Sequence, residues 1–249
     1  MLARRLALAA VLFAAALVCL RLGFWQLARL EEKRALNDTR AEVLAEPPIR
    51  LSDISPDMGR PAGRRVSASG RFDESRQVLL SGVVKDGEPG VRVVTPLILA
   101  SGGAVLVDRG WLPAQDAVTA RPVDYPEPGP RSVLGVVEPL AQGLATPAWR
   151  ALAAQGALVW SVHALGWDSA QTHFSYPLAR FTLRQLPAAG LPARPMRTAP
   201  EPIGTTMHLS YAIQWFLFAA AFAAGALFVL KRPGPRRASR ADARGTSAL

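Results

Sequence analysis

Hydrophobic and polar positions divide this chain into two long apolar runs and an alternating middle. Residues 211–230 form a run of twenty positions without a charge, in which Gln214 is the one strongly polar side chain. As a helix the run rises about 30 Å, the thickness of a bilayer's hydrocarbon core. It gives way abruptly to Lys231-Arg232-Pro233-Gly234-Pro235-Arg236-Arg237. The pattern predicts a transmembrane helix over 206–230 in preference to a buried core helix. The first apolar run, 6–20, follows Arg4 and Arg5 as a signal-peptide core would. It continues past Arg21, however, as Leu22-Gly23-Phe24-Trp25-Gln26-Leu27. Arg21 can snorkel to the headgroups and Trp25 suits an interfacial belt, so an uncleaved span over 6–27 is preferred. Residues 28–44 contain no Gly or Pro and extend that helix over 28–48, until Pro47-Pro48 ends it.

The middle, 49–205, reads as an external, mainly β domain. Val66, Ala68, Gly70 and Phe72 alternate with polar or basic positions. An apolar run over 77–84 is followed by Lys85-Asp86-Gly87-Glu88, with hairpin chemistry at Asp-Gly. Val91, Val93, Thr95, Leu97 and Leu99 then share one strand face at period two, and Ser101-Gly102-Gly103 turns the chain into Ala104-Val105-Leu106-Val107. A three-stranded antiparallel meander results. Further strands are expected over 132–138, 157–162 and 176–186. Thr146-Pro147 predicts the cap and first residue of a short helix ending near Gly156. A Pro-rich connection spans 122–130, and a Pro- and Gly-rich linker spans 187–204. The fold class is thus a membrane protein: two transmembrane helices flanking a small barrel or sandwich with a short helix.

Charge fixes an expected orientation. The net charge is +10, and residues 231–249 carry six Lys/Arg against one acid, so half the excess lies in the tail. Positive flanks stay inside, which predicts a cytoplasmic N-terminus (1–5), a cytoplasmic tail (231–249) and a periplasmic domain between them in a bacterial inner membrane. The tail has no aromatic residue, and nucleic acid is not an expected partner. One cysteine, Cys19, excludes an intramolecular disulfide and a cysteine-based zinc cluster.

No nucleophile elbow, phosphate-cradling loop or His-Glu-x-x-His helix is present, so no catalytic residues are expected. His163, Asp168 and His173 fit no metal spacing and read as solvated loop residues. Asp108-Arg109-Gly110-Trp111-Leu112-Pro113 closes a strand. Either it is a structural strand end anchored by Trp111, or Arg109 recognises a carboxylate or propionate. On a helix, His208, Tyr211, Ala212 and Trp215 share a face. Either they form an interfacial aromatic belt, or a flat macrocycle lies over Ala212 with its iron on His208.

Three blocks resemble one family. Leu22-Gly23-Phe24-Trp25-Gln26-Leu27-Ala28-Arg29 with Lys33 resembles the end of its first span. Gly90…Thr95-Pro96-Leu97 and Val105-Leu106-Val107-Asp108-Arg109-Gly110-Trp111-Leu112-Pro113 resemble its central signature. His208…Tyr211-Ala212-Ile213-Gln214-Trp215-Phe216 resembles the start of its second span. The family is the Surfeit-locus-one, or Shy-type, cytochrome oxidase assembly factors. The resemblance marks Gly23, Trp25, Gln26, Arg29, Arg109, Gly110, Trp111 and Gln214 as motif residues. It implies a non-catalytic, chaperone-like factor for a haem-copper terminal oxidase (cytochrome c oxidase) that handles haem a during delivery to the largest subunit. The partners implied are the oxidase subunits, haem a synthase and membrane lipid. His208 occupies the family's proposed haem-ligand position, with Tyr211, Ala212, Trp215 and Arg109 as the remaining contacts expected. Asp108 departs from the family, which more often has Asn there, and 141–205 matches loosely. The alternatives are an assembly scaffold that binds oxidase subunits without haem, and a membrane-anchored enzyme.

Overall fold

The computed structural model describes residues 2–53, 62–140, 148–154 and 157–231. They fall into two units: residues up to Asn37 together with those from Ile203 onward, and Asp38–Pro202.

The first unit is built on two helices, most of α1 (Leu2–Ala45) and all of α3 (Thr206–Lys231). Both are long and apolar enough to cross a membrane. Their large apolar side chains point outward: Phe13, Leu17, Val18, Phe24, Leu217 and Leu227 are all exposed. Among the described residues only Val84 and Leu158 are exposed large hydrophobics outside the helices. Lipid, not a protein core, is the solvent such a surface requires. What the helices bury is mostly small. Ala9, Ala16, Gly23 and Leu30 recur every seven residues on α1, as do Ala212, Ala219 and Ala226 on α3. This is a coiled-coil seam whose small side chains allow close approach. The helices run antiparallel, with Gly23 under the Phe216 ring and Gly225 beside Leu12. Asn37 fastens one end, donating to Ile203 O at 3.0 Å and accepting from Ile203 N at 2.8 Å.

The second unit is a five-stranded barrel with a side wing. Strands β2 (Arg65–Phe72), β6 (Pro130–Pro139), β9 (Leu178–Gln185), β5 (Ala104–Pro113) and β4 (Glu88–Leu99) pair in that order, and β2 pairs back onto β4 to close the ring. Val66, Phe72, Leu97, Val107, Val137 and Leu183 fill it. Beyond β4, the sheet continues through β3 (Arg76–Lys85), β8 (Ala157–Val162) and β7 (Arg150–Ala154). A two-residue strand, β1 (Ile49–Arg50), lies parallel to β2. The predicted meander is β3–β4–β5, all antiparallel. Its first turn has Asp86 at φ 51° and Gly87 at φ 84°, the left-handed pair that Asp-Gly favours. The end of α1 is capped by Arg65, which donates to Glu46 O at 2.9 Å, while Arg64 pairs with Glu46 at 2.5 Å.

Two expectations fail. Residues 150–154 are not helical. They form β7, hydrogen-bonded along β8 from Arg150↔Ser161 to Ala154↔Ala157, so strand pairing overrides the helix propensity of an Ala-rich stretch. The predicted cap Thr146-Pro147 lies outside the described residues, and the short helix is α2 (Trp167–Gln171). Nor is 187–204 a free linker. Met196 forms a two-way bridge with Trp111, N to O at 2.9 Å and 2.7 Å.

That bridge depends on Gly110. Its φ is +119°, and a Cβ there would sit 2.5 Å from the Met196 carbonyl carbon. Gly110→Ala is expected to cost about 1–3 kcal/mol through backbone strain and displacement of the Met196 strand, and Gly110→Glu at least as much. Denaturant unfolding in detergent, followed by tryptophan fluorescence, measures this; an unchanged midpoint would contradict it.

Candidate functional site

The candidate residues separate by unit. In the helix pair, His208 lies in the first turn of α3 and is partly buried. Its Nδ1 is 2.7 Å from Gln26 Oε1 on α1. No described residue engages Nε2. Thus the first and third sequence blocks meet in one hydrogen bond between the two apolar helices. Ala212 is buried in the seam, so it offers no open shelf for a macrocycle. Tyr211 is exposed and Trp215 is partly buried, edge-on to Phe218 at 5.9 Å between centroids. The four residues therefore do not form one open face. Gln214 is exposed. Trp25 is exposed beneath the Arg29 guanidinium, 5.9 Å away, and Arg29 also pairs with Glu32 at 2.6 Å.

In the barrel, Arg109 does not wait for an external carboxylate. It is the extra residue of a β-bulge, where Val93 pairs with Gly110 and Val94 with Asp108. The bulge turns its side chain inward, where it is fully buried. Arg109 donates to Glu127 Oε1 from Nε at 3.1 Å and from Nη2 at 2.8 Å, and to Tyr125 O at 2.6 Å. Arg197 donates to the same carboxylate oxygen. Burial acts to raise the Glu127 carboxyl, but the two arginines outweigh it and hold the group below the ordinary value of 4.5. Nearby, Thr95 Oγ1 donates to the buried Gln77 Oε1 at 3.0 Å. The carboxylate expected for Arg109 is thus the chain's own.

Glu127 and Arg197 are not legible as partners from sequence. Both lie in Pro-rich segments without periodicity, and the one signal is the need of a buried Arg109 for a counter-charge. Outside the barrel, a cleft of about 280 Å³ is lined by Lys85, Arg92, Asp108, Trp111 and Arg184. Its cations are already paired: Lys85 with Asp86, Arg92 with Asp108 and Arg184 with Glu138. Burial raises the Asp108 carboxyl, with Arg92 offsetting part of the effect. His163 and Asp168 are exposed, whereas His173 stacks on Trp149 at 4.0 Å between centroids. No group of metal-ligating side chains occurs among the described residues.

Glu127→Gln leaves the buried Arg197 without its carboxylate and Arg109 with only the more exposed Glu74, 4.0 Å away, and is expected to cost about 3–5 kcal/mol at neutral pH. In the wild-type protein the depressed Glu127 pKa stabilises the fold above pH 4.5, and that contribution is lost as pH falls through the folded-state value. Denaturant titrations at pH 7 and in the acid range should show a weaker acid dependence in the variant. Equal stability and equal pH slopes would refute the assignment.

Comparison with known proteins points to one family. A family model described as the SURF1 family matches residues 13–220. A SURF1-like protein of Rickettsia felis is 31% identical over 96 residues, covering 38% of this chain and 41% of the relative. Surfeit locus protein 1 of Arabidopsis thaliana is 34% identical over 119 residues, 41% of this chain and 33% of the relative. An uncharacterized SURF1-like protein of Mycobacterium tuberculosis is 33% identical over 115 residues, 44% and 42% respectively. The matched stretch spans less than half the length of each of these relatives. With most of the sequence matched by the family model, and both spans and the barrel lying within 13–220 in whole or in large part, the chain belongs to the SURF1 family.

Proposed function

We propose that this chain is an assembly factor for a haem-copper terminal oxidase, and that it holds haem a through His208 while the haem is passed to the oxidase's largest subunit. Membership of a family known for oxidase assembly supports the first part. The observation that carries the second is the state of the His208 ring. One nitrogen is held by Gln26, and the other is engaged by no described residue. An imidazole fixed at one nitrogen and open at the other suits an iron ligand.

The surroundings fit the cargo. Met207, Leu209 and Tyr211 expose apolar surface on the same turns, next to lipid-facing helix surface that favours the ring and tail of haem a. A single protein ligand at the rim of a helix suits release, whereas a permanent redox centre is held by firmer axial ligation. His163 and His173 belong to the barrel unit and take no part. The partners supported by this reading are the oxidase subunits and haem a synthase. The membrane is the bacterial inner membrane, with both termini cytoplasmic and the barrel periplasmic.

Purified from cells that synthesise haem a, the wild-type protein should carry a haem a spectrum. His208→Ala and His208→Leu should lose it while remaining in the membrane fraction, and oxidase maturation should fall. His163→Ala and His173→Ala should keep it. A full complement of haem in both His208 variants would remove the ligand and favour a scaffold that binds oxidase subunits alone. For orientation, alkaline phosphatase fused near Pro126 should be active and fused at Leu249 inactive; the reverse pattern would overturn the topology.

A further inference from the structure

We propose that Gln26 is the positioning residue of His208: it fixes the imidazole as the Nδ1–H tautomer, so that the Nε2 lone pair is the one presented for metal ligation. The inference deepens the haem reading above and rests on it only for the identity of the metal.

Gln26 Oε1 is an acceptor, and His208 Nδ1 lies 2.7 Å from it. With the Gln26 amide oxygen, and not its NH2, turned to the ring as proposed, Nδ1 carries the proton and Nε2 is the basic nitrogen. A free neutral imidazole in water favours the opposite tautomer, with the proton on Nε2. The hydrogen bond therefore reverses a default. The two groups come from different helices, and close approach at the seam brings them together. Gly23, three residues before Gln26, lies under Phe216, where a Cβ would be 2.7 Å from the ring. The choice of an amide also matters. A carboxylate on Nδ1–H would push negative charge onto the ring and strengthen iron binding. A neutral amide orients the ring without that push, which suits a site that must let its cargo go.

The tautomer can be read directly, without haem. The chain has three histidines. Nitrogen NMR of ¹⁵N-histidine-labelled full-length protein in nanodiscs distinguishes Nδ1–H from Nε2–H, and His208→Ala assigns the signal. Wild-type His208 should be in the Nδ1–H form. Gln26→Leu should shift it to the Nε2–H form, and Gln26→Glu should restore Nδ1–H. The other histidines serve as folding controls. His173 Nδ1 donates to Ser169 O at 2.9 Å and His163 Nδ1 lies 2.9 Å from Ser81 Oγ, so unchanged signals report an intact side wing and α2 in the second unit. A wild-type Nε2–H tautomer, or a Gln26→Leu spectrum equal to wild type, would overturn the proposal. Titration with haem a separates this claim from the functional one. Gln26→Leu should bind about 10- to 100-fold more weakly than wild type. Equal binding would overturn the positioning role and leave the haem reading intact. No binding by wild type, with the Nδ1–H tautomer present, would sink the haem reading and sustain the assignment to Gln26.

Discussion

Helices surrounded by lipid gain nothing by hiding apolar surface from one another, because lipid tails are as apolar as leucine. The association of α1 and α3 therefore depends on packing at very short range, and the seam of Ala9, Ala16 and Gly23 with Ala212, Ala219 and Ala226 supplies it. Most large residues are turned to the lipid, and the buried seam positions are mainly small. This constraint makes the candidate site possible. Gln26 and His208 are 182 residues apart in sequence, and only close helix packing brings their polar atoms within 2.7 Å. The pair is also costly to leave unmade in an apolar setting, since each group would then lack a partner.

The barrel solves a different problem by a similar device. Its one fully buried guanidinium among the described residues, Arg109, is placed inside by a bulge and needs a counter-charge there. Glu127 provides it and recruits Arg197 as well. Because Arg197 follows Met196, which bridges Trp111, the central signature fastens the segment that leads away from the barrel. Gly110 admits that segment's backbone, Trp111 pairs with it, and Arg109 shares an anion with it.

Much of this is legible in the chain. Both spans, the meander and the Asp86-Gly87 turn follow from period, charge and turn chemistry, all of which are local. Residues 150–154 mislead because their Ala-rich composition favours helix, and only the presence of β8 alongside makes them a strand. Spacing places His208, Tyr211, Ala212 and Trp215 on a shared helical face, but it does not say which part a second helix covers. Ala212 is covered and Tyr211 is not. Arg109 stands out in the sequence, yet its partners Glu127 and Arg197 come from segments with no periodic signal. Gln26 is marked by resemblance alone, and its contact with His208 is a property of the folded pair.

In the proposed function an iron porphyrin meets this chain through the Nε2 atom of His208. Resonance Raman spectroscopy of the ferrous haem a complex, with natural-abundance and ¹⁵N-labelled histidine, tests that contact most directly. The expected result is an iron–histidine stretching band that shifts on labelling in protein whose sole remaining histidine is His208. A ferrous haem complex with no label-sensitive iron–ligand band in that protein would contradict it.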